Sequence, residues 1–278
     1  MADQIMTTGG TNAAIVPENW SEKFTDVLRA TRPLLSTVSQ TYAGDLNRGD
    51  TVRIPSLADS TAVILPEGAA ADAVANTAST VSLVVDEMVA LDHIVTTQAE
   101  LQSISFMNHL RDGMTNAIAQ KMETQLFSAI VPSASTPDHA IAYDSGTTLA
   151  RADILEAKDL LDTQNVPMQD RFMITGVAQM NDLLTVDQLI NADYGNGGSG
   201  TVNGFLSSQV LGFNAAGSTN AGTTTYLGHP SFLQMVIQKS IDIKVDDLSV
   251  IGQRGFRVSA SLLFGYLQLH DTRIVTIT

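Results

Sequence analysis

The chain has 278 residues, a formal net charge of −14 at pH 7 and a sequence pI near 4.5, a balance that excludes sequence-independent binding of nucleic acid through a basic face. It has no cysteine, so a disulfide framework and a thiolate metal site are excluded, which fits folding in a reducing cytosol, and no apolar run reaches the roughly 18 residues of a membrane span. Hydrophobic residues make up 44% and charged residues only 16%, against about 25% charged in ordinary domains; a core can form, and so sparse a charge points to a surface hidden against partners.

Met1 to Ala14 is small and polar and reads as an extended arm without the charged and apolar regions of a signal peptide. Pro17 suits the first turn of a helix carrying Trp20, Phe24, Val27 and Leu28, with Pro33 expected to close it. Trp20 is the only tryptophan and reads as a core or interface anchor. From Asp45 the period changes. Gly49–Asp50 is a turn signal before a strand over Val52, Ile54 and Leu57, Thr61 to Leu65 is a second β-like run, and Val81 to Val95 a third. Between them Ala69 to Thr80 is nearly all Ala, Asp, Asn, Thr and Ser and cannot build a core. Residues 49–95 therefore read as a two- or three-stranded extension, which is marginal unless it lies on something else.

Thr97 to Val131 predicts the longest helix. Leu101, Ile104, Met107, Leu110, Met114, Ile118, Met122, Leu126 and Ile130 recur three and four apart, Glu123 and other polar residues are assigned to the remaining face, and Pro132 ends the run. Such a helix spans roughly 50 Å, more than the roughly 26 Å width of a compact 100-residue domain, so it is expected to run along a long, flat molecule. Gly113, in its interior, is expected to mark a bend or a close contact. After a loop over Pro132 to Thr148 come a helix at Leu149 to Leu161 opened by Asp153, a turn through Asn165, Pro167 and Asp170, a buried strand at Arg171 to Thr175 and a short helix at Ala178 to Thr185. Gly195, Gly197, Gly198 and Gly200 lie in a loop expected to be mobile. Phe205 to Phe213 is strand-like with a turn at Gly212, and Asn214 to Thr224 reads as a low-complexity loop. Phe232 to Gln238, Ile241 to Val245, Arg257 to Phe264 and Arg273 to Ile277 read as strands, the last two as a closing hairpin.

No chemistry emerges from motifs. His93, His109, His139, His229 and His270 are scattered without ligand spacing. Asp242, Asp246 and Asp247 do not match a calcium loop, the Gly195–Gly200 run lacks the Lys-Ser/Thr of a P-loop, and there is no Gly-x-Ser-x-Gly elbow. Neither a cofactor nor a metal is expected.

The order of arm, helix, β extension, long helix, mixed α/β region and closing strands resembles the major capsid proteins of tailed bacteriophages, the Hong Kong 97-like α+β fold. The resemblance covers almost the whole chain. It is carried by Gly49–Asp50–Thr51–Val52–Arg53–Ile54–Pro55, by Val84 to Thr97 feeding the long helix, and by Ala152 to Leu161 with Pro167, Asp170 and Arg171–Phe172. Val202–Asn203–Gly204 before Val210, and Gly255–Phe256–Arg257–Val258 through Gly265–Tyr266, complete it. It implies an N-arm and first helix at 1–43, an E-loop at 44–96, a P-domain with its spine helix at 97–148, mainly A-domain at 149–245 and a return to the P-domain at 246–278. The implied function is a head-shell subunit in pentamers and hexamers, forming an icosahedral or prolate virion capsid assembled in the host cytoplasm around double-stranded DNA, without sequence-specific binding, membrane or catalysis. The partners implied are copies of itself, a separate scaffolding protein, a portal protein and a decoration or cement protein. No lysine lies in the E-loop, which argues against Lys–Asn cross-linking of subunits. Two other readings stay open: an encapsulin-type compartment, and a soluble enzyme or ligand-binding protein using the Gly195–Gly200 loop.

The charge pattern adds one expectation. From Ile54 through Leu110 there is no lysine or arginine, yet there are Asp59, Glu67, Asp72, Asp86, Glu87, Asp92 and Glu100. So acidic an extension suits a surface of opposite sign on a neighbouring subunit, with Lys23, Arg29, Arg32, Arg111, Lys121, Arg254 and Arg257 as receivers, charge setting register and apolar contacts holding it.

Overall fold

The computed structural model describes residues 29–42, 49–57, 62, 64–68, 78–97, 106–186, 201–202, 205–206, 209–248 and 255–278. The described helices are α1 (Pro33–Thr37), α2 (Phe106–Ser128), α3 (Arg151–Thr163) and α4 (Val177–Leu183). The strands are β1 (Thr51–Leu57), β2 (Ala78–Val84), β3 (Glu87–Thr96), β4 (Ala140–Ile141), β5 (Phe172–Thr175), β6 (Thr201–Val202) and β7 (Phe205–Leu206). They continue as β8 (Gln209–Val210), β9 (Phe213–Gly217), β10 (Thr225–Gly228), β11 (Leu233–Asp247), β12 (Gly255–Gln268) and β13 (Ile274–Ile277). The mixture is α+β.

α2 is the organising element. Met114, Ile118, Met122 and Leu126, one helical turn apart, are all buried, and they pack on the inner face of a three-stranded antiparallel sheet of order β11-β12-β3. Val89, Leu91 and Val95 of β3 and Val258, Ala260, Leu262 and Phe264 of β12 supply that face. A second core lies between α3 and a six-stranded mixed sheet of order β4-β13-β10-β5-β9-β8. Ile154, Ala157 and Leu161 of α3 pack there on Met173, Leu227, Val275 and Ile277. A third, smaller core seats the β1–β2 ribbon on β11 and β12.

Local chemistry accounts for the connections. Asp153 sits in the first turn of α3, where Oδ2 accepts the Ala150 amide at 2.8 Å and Oδ1 the Asp144 amide at 3.2 Å, relieving backbone donors that a helix start leaves open. The turn into β5 places Asn165 and Asp170 at φ 54° and 58°, a left-handed conformation that short polar side chains tolerate. Buried Arg171 secures it, its guanidinium donating to the carbonyls of Pro167 at 2.9 Å and Val166 at 2.7 Å and lying 2.7 Å from Asp162 Oδ1. β8 and β9 form a hairpin through Leu211 and Gly212 at φ 50° and 92°, the two positive angles of a type I′ turn.

Several expectations are corrected. Pro33 opens α1 instead of closing a helix, because a proline at N1 gives up a donor that has no partner there anyway. The run Thr61 to Leu65 is not a strand where described; β1 pairs instead with β2, from Thr51↔Val84 to Leu57↔Ala78. Val81 to Val95 is two strands, broken at Val85–Asp86 where the chain leaves one sheet for another. α2 stops at Ser128, ahead of Pro132, and residues 98–105 lie outside the described part. Asn214 to Thr224 contains β9, in parallel register with β5. Two of the expected strands fuse into β11, whose register shifts twice between Ile237 and Asp242, as β-bulges do. β12 and β13 do not pair with each other: β12 joins β11 and β3, and β13 joins β10 and β4. The boundary expected between residues 245 and 246 therefore runs through a continuous strand.

Candidate assembly interface

The β1–β2 ribbon of the extension is seated at its base, while β3 runs along β12. Val52, Ile54, Leu83 and Val85 are buried against Val236, with Leu263, Leu267 and Tyr42 alongside. The Val85 amide donates to the Asp50 carbonyl at 2.7 Å and Gln238 Nε2 to the Gly49 carbonyl at 2.7 Å. Close approach is built in at Gly265, where a Cβ would lie 2.3 Å from the Val84 carbonyl oxygen and 2.8 Å from Val85 Cα. Past Ile54 the described part of the ribbon leaves this core, with Leu57 69% exposed, and Ile64 (97%), Leu65, Val81 and Val84 are exposed as well. On β3, Met88 (65%) and Ile94 (67%) are exposed on the sheet it forms with β12. Among the described residues, seven of the twelve exposed large hydrophobic side chains thus belong to residues 57–94, a concentration that marks a surface awaiting a partner.

The three-stranded sheet turns its outer face away from α2. Directly paired residues share a face, so Ala90, Asp92 and Ile94 stand with Ser261, Ser259 and Arg257, and these with Asp242, Lys244 and Asp246. Lys239 bonds Asp242 at 2.8 Å, and Lys244 reaches the same carboxylate at 4.0 Å. Arg257 bonds Asp92, with Asp246 adding attraction. Lys239 holds the Asp242 carboxyl below the usual carboxylate range, and Asp92 pushes the Arg257 guanidinium up. The face carries three cations against three anions in a chain of net charge −14.

The expected contact residues divide accordingly. Arg257 is engaged by Asp92 of its own chain, so it is not the free receiver that the charge pattern suggested. Arg32 is engaged as well, donating to the Asn116 carbonyl at 3.1 Å and to Asn116 Oδ1 at 2.9 Å. Arg29, Glu67, Arg111 and Lys121 are exposed. Trp20, Lys23, Asp72, Arg254, Gly195, Gly197, Gly198 and Gly200 lie outside the described residues. Gly113 sits within α2, and among the described residues outside its own helix no atom lies within 4 Å of where a Cβ would stand, so no close contact is made there by them.

Sequence reasoning missed two positions. Gly265 looked like a mark of resemblance only, although its lack of a side chain is what admits the ribbon. Glu123, assigned to the face left over by the apolar stripe, is fully buried; its neighbours Met122, Leu126 and Phe127 were the available signal. The histidines stay apart, and among the described residues no cluster of His, Asp and Glu could hold a metal.

The phage capsid protein family matches residues 97–277, well over half of the chain. The chain belongs to that family. Its fold is that of solved phage capsid subunits. A chain of Mycobacterium phage Che8 superimposes with a TM-score of 0.77 at 21% identity, covering 95% of this chain and 97% of that one. The capsid of cyanophage P-SCSP1u gives 0.78 at 13% identity, covering 98% and 96%. The capsid of a native GTA particle gives 0.70 at 11% identity, covering 98% of each chain. No curated protein sequence matches the chain. At these identities the likeness is one of fold, the Hong Kong 97-like fold expected from the order of elements. This phage capsid protein is a major capsid subunit of a phage head shell, and its place is the virion.

Proposed function

We propose that this capsid protein builds a closed icosahedral or prolate shell from pentamers and hexamers, with the 44–96 extension as an E-loop lying across a neighbouring copy. The observation that carries this reading is the extension itself, seated at Val52, Ile54, Leu83 and Val85 yet displaying Leu57, Ile64 and Met88 to solvent. A monomer gains nothing from such a display, whereas an assembly buries it. α2 and the β11-β12-β3 sheet serve as the P-domain, and the six-stranded sheet with α3 as the A-domain near the symmetry axes. The role is structural and not catalytic. The acidic chain encloses double-stranded DNA without reading it, and assembly takes place in the host cytoplasm. A separate scaffolding protein, a portal protein and a decoration or cement protein complete the set of partners.

Electron microscopy of the protein produced with its scaffolding partner tests this. Closed particles are expected, and Leu57→Ser with Ile64→Ser should block them while leaving the subunit folded. Particles that form normally from the double variant would remove the extension from the interface.

A further inference from the structure

Glu123 is a carboxylate with no exposed surface, on the long helix of a subunit whose described functional surface lies elsewhere. Three elements meet on it. Oε1 accepts the Leu34 amide at 3.1 Å, at the start of α1. Oε2 accepts Asn220 Nδ2 at 2.6 Å, in the 3₁₀ turn 219–221 that follows β9. The carboxylate itself belongs to α2. The segment leading into α1 is tied down beside it, by Arg32 on Asn116 and by Thr31 Oγ1 donating to the Gly217 carbonyl at 3.1 Å. Leu34 is fully buried beneath the joint. Glu123 thus pins the first described residues to the helix and to the second sheet at one point.

Asn220 suits either protonation state. Its amide nitrogen donates to a carboxylate, and after a half-turn of the side chain its oxygen accepts from a carboxylic acid. Arg32 is the charged group, among the described residues, that acts on Glu123 from the packed elements, and Asn220 and the Leu34 and Leu35 amides are neutral. Burial outweighs these partners and pushes the Glu123 carboxyl up from its ordinary value. The folded joint therefore favours the protonated acid.

We propose that Glu123 is a proton-operated latch: protonated, it locks residues 31–34 onto α2, and ionised, it biases that segment to lift away so that the carboxylate reaches water. The direction follows from linkage. The raised value means that the closed joint binds a proton more tightly than the opened one, in which Glu123 returns to about 4.5. Below that value the latch contributes its full stability, which is lost as pH rises through the raised value. Each unit of difference makes opening about tenfold easier for the ionised form.

Hydrogen exchange of the Leu34 amide in the full-length subunit tests this, with wild type, Glu123→Gln and Arg32→Gln compared at each pH. Glu123→Gln keeps the acceptor for Leu34 and cannot ionise. The expected result is a ratio of opening, wild type over Glu123→Gln, that is near one in acid and climbs as pH rises past about 4.5. Arg32→Gln, which also cuts the ties to Asn116, should open further than wild type at every pH, and by a larger factor at neutral pH, because it also removes an attraction that favours the ionised form. A wild-type ratio that stays flat with pH overturns the latch, as does an Arg32→Gln excess over wild type that is the same at both pH values. The readout is made on the subunit, so it stands apart from whether shells form.

Discussion

At the scale of single residues, two glycines in similar-looking strings have opposite tasks. Gly265 leaves room for the backbone at Val84 and Val85, so Gly265→Ala must displace main chain and not a flexible side chain end. A loss of about 1–3 kcal/mol in urea unfolding is expected, in the range of overpacked cores. Gly113 faces open space on an exposed part of α2, and Gly113→Ala should raise subunit stability by up to about 1 kcal/mol through helix propensity alone. Equal and opposite findings would mean that the ribbon does not rest on Gly265. If Gly113→Ala also impairs assembly, the position serves a contact between copies.

His229 gives the subunit a pH dependence of its own. Nδ1 accepts the Ser231 amide at 3.2 Å, capping the turn 230–232, and Ser231 Oγ in turn accepts from Arg273 at 2.7 Å. Burial first, and then Arg273, hold this imidazole below its usual range, and His270 is shifted the same way for the same two reasons. A depressed value favours the neutral ring in the fold. Its stability is present above about pH 6.5, the unfolded value, and is lost as pH falls through the folded one. The urea midpoint should drop on acidification across that window, and His229→Asn, which keeps a capping acceptor, should make the fall shallower. An unchanged slope in His229→Asn would assign the effect to other groups.

At the scale of elements, what was legible in the sequence was what repeats. The four-residue steps of α2, the alternation in β1 and the unbroken apolar run Phe172 to Ile174 are local patterns, and each lies within the element expected for it, α2 ending three residues early. What was hidden depends on partners distant in sequence. β9 is Phe-Asn-Ala-Ala-Gly, weak in β propensity, and becomes a strand because β5 and β8 flank it. β12 and β13 are neighbours in sequence but diverge into different sheets, a choice that local pattern does not encode. Glu123 was misplaced because a charge on an amphipathic helix is ordinarily solvated, and only the arrival of Leu34 and Asn220 makes its burial tolerable.

The charged receivers belong to this scale too. With Arg32 and Arg257 engaged within the chain, Arg29, Arg111 and Lys121 are, among the described residues, exposed members of the expected set, and on them an acidic extension would find register. Exposed pairs contribute only about 0–1 kcal/mol each and are screened over roughly 8–10 Å, so the effect belongs in the rate of assembly. Raising ionic strength should slow assembly followed by light scattering, and Glu67→Lys and Asp72→Lys should slow it at low salt. Rates indifferent to both salt and reversal would leave the acidic residues a role in solubility alone.

At the scale of the whole molecule, the low charge, the ribbon seated at its base with exposed apolar side chains beyond it and the two sheets joined around α2 describe a subunit completed by its neighbours. Membership of the phage capsid protein family gives that design its setting, and the shared fold gives it a geometry. The central claim is that the extension's open apolar side chains are closed by another copy. The most direct test is a cryo-electron microscopy reconstruction of particles assembled from this subunit. Five- and six-fold clusters are expected in which Leu57 and Ile64 of one subunit lie buried on the next; a closed shell with both side chains still in solvent, or a protein that remains monomeric under assembly conditions, would contradict that claim.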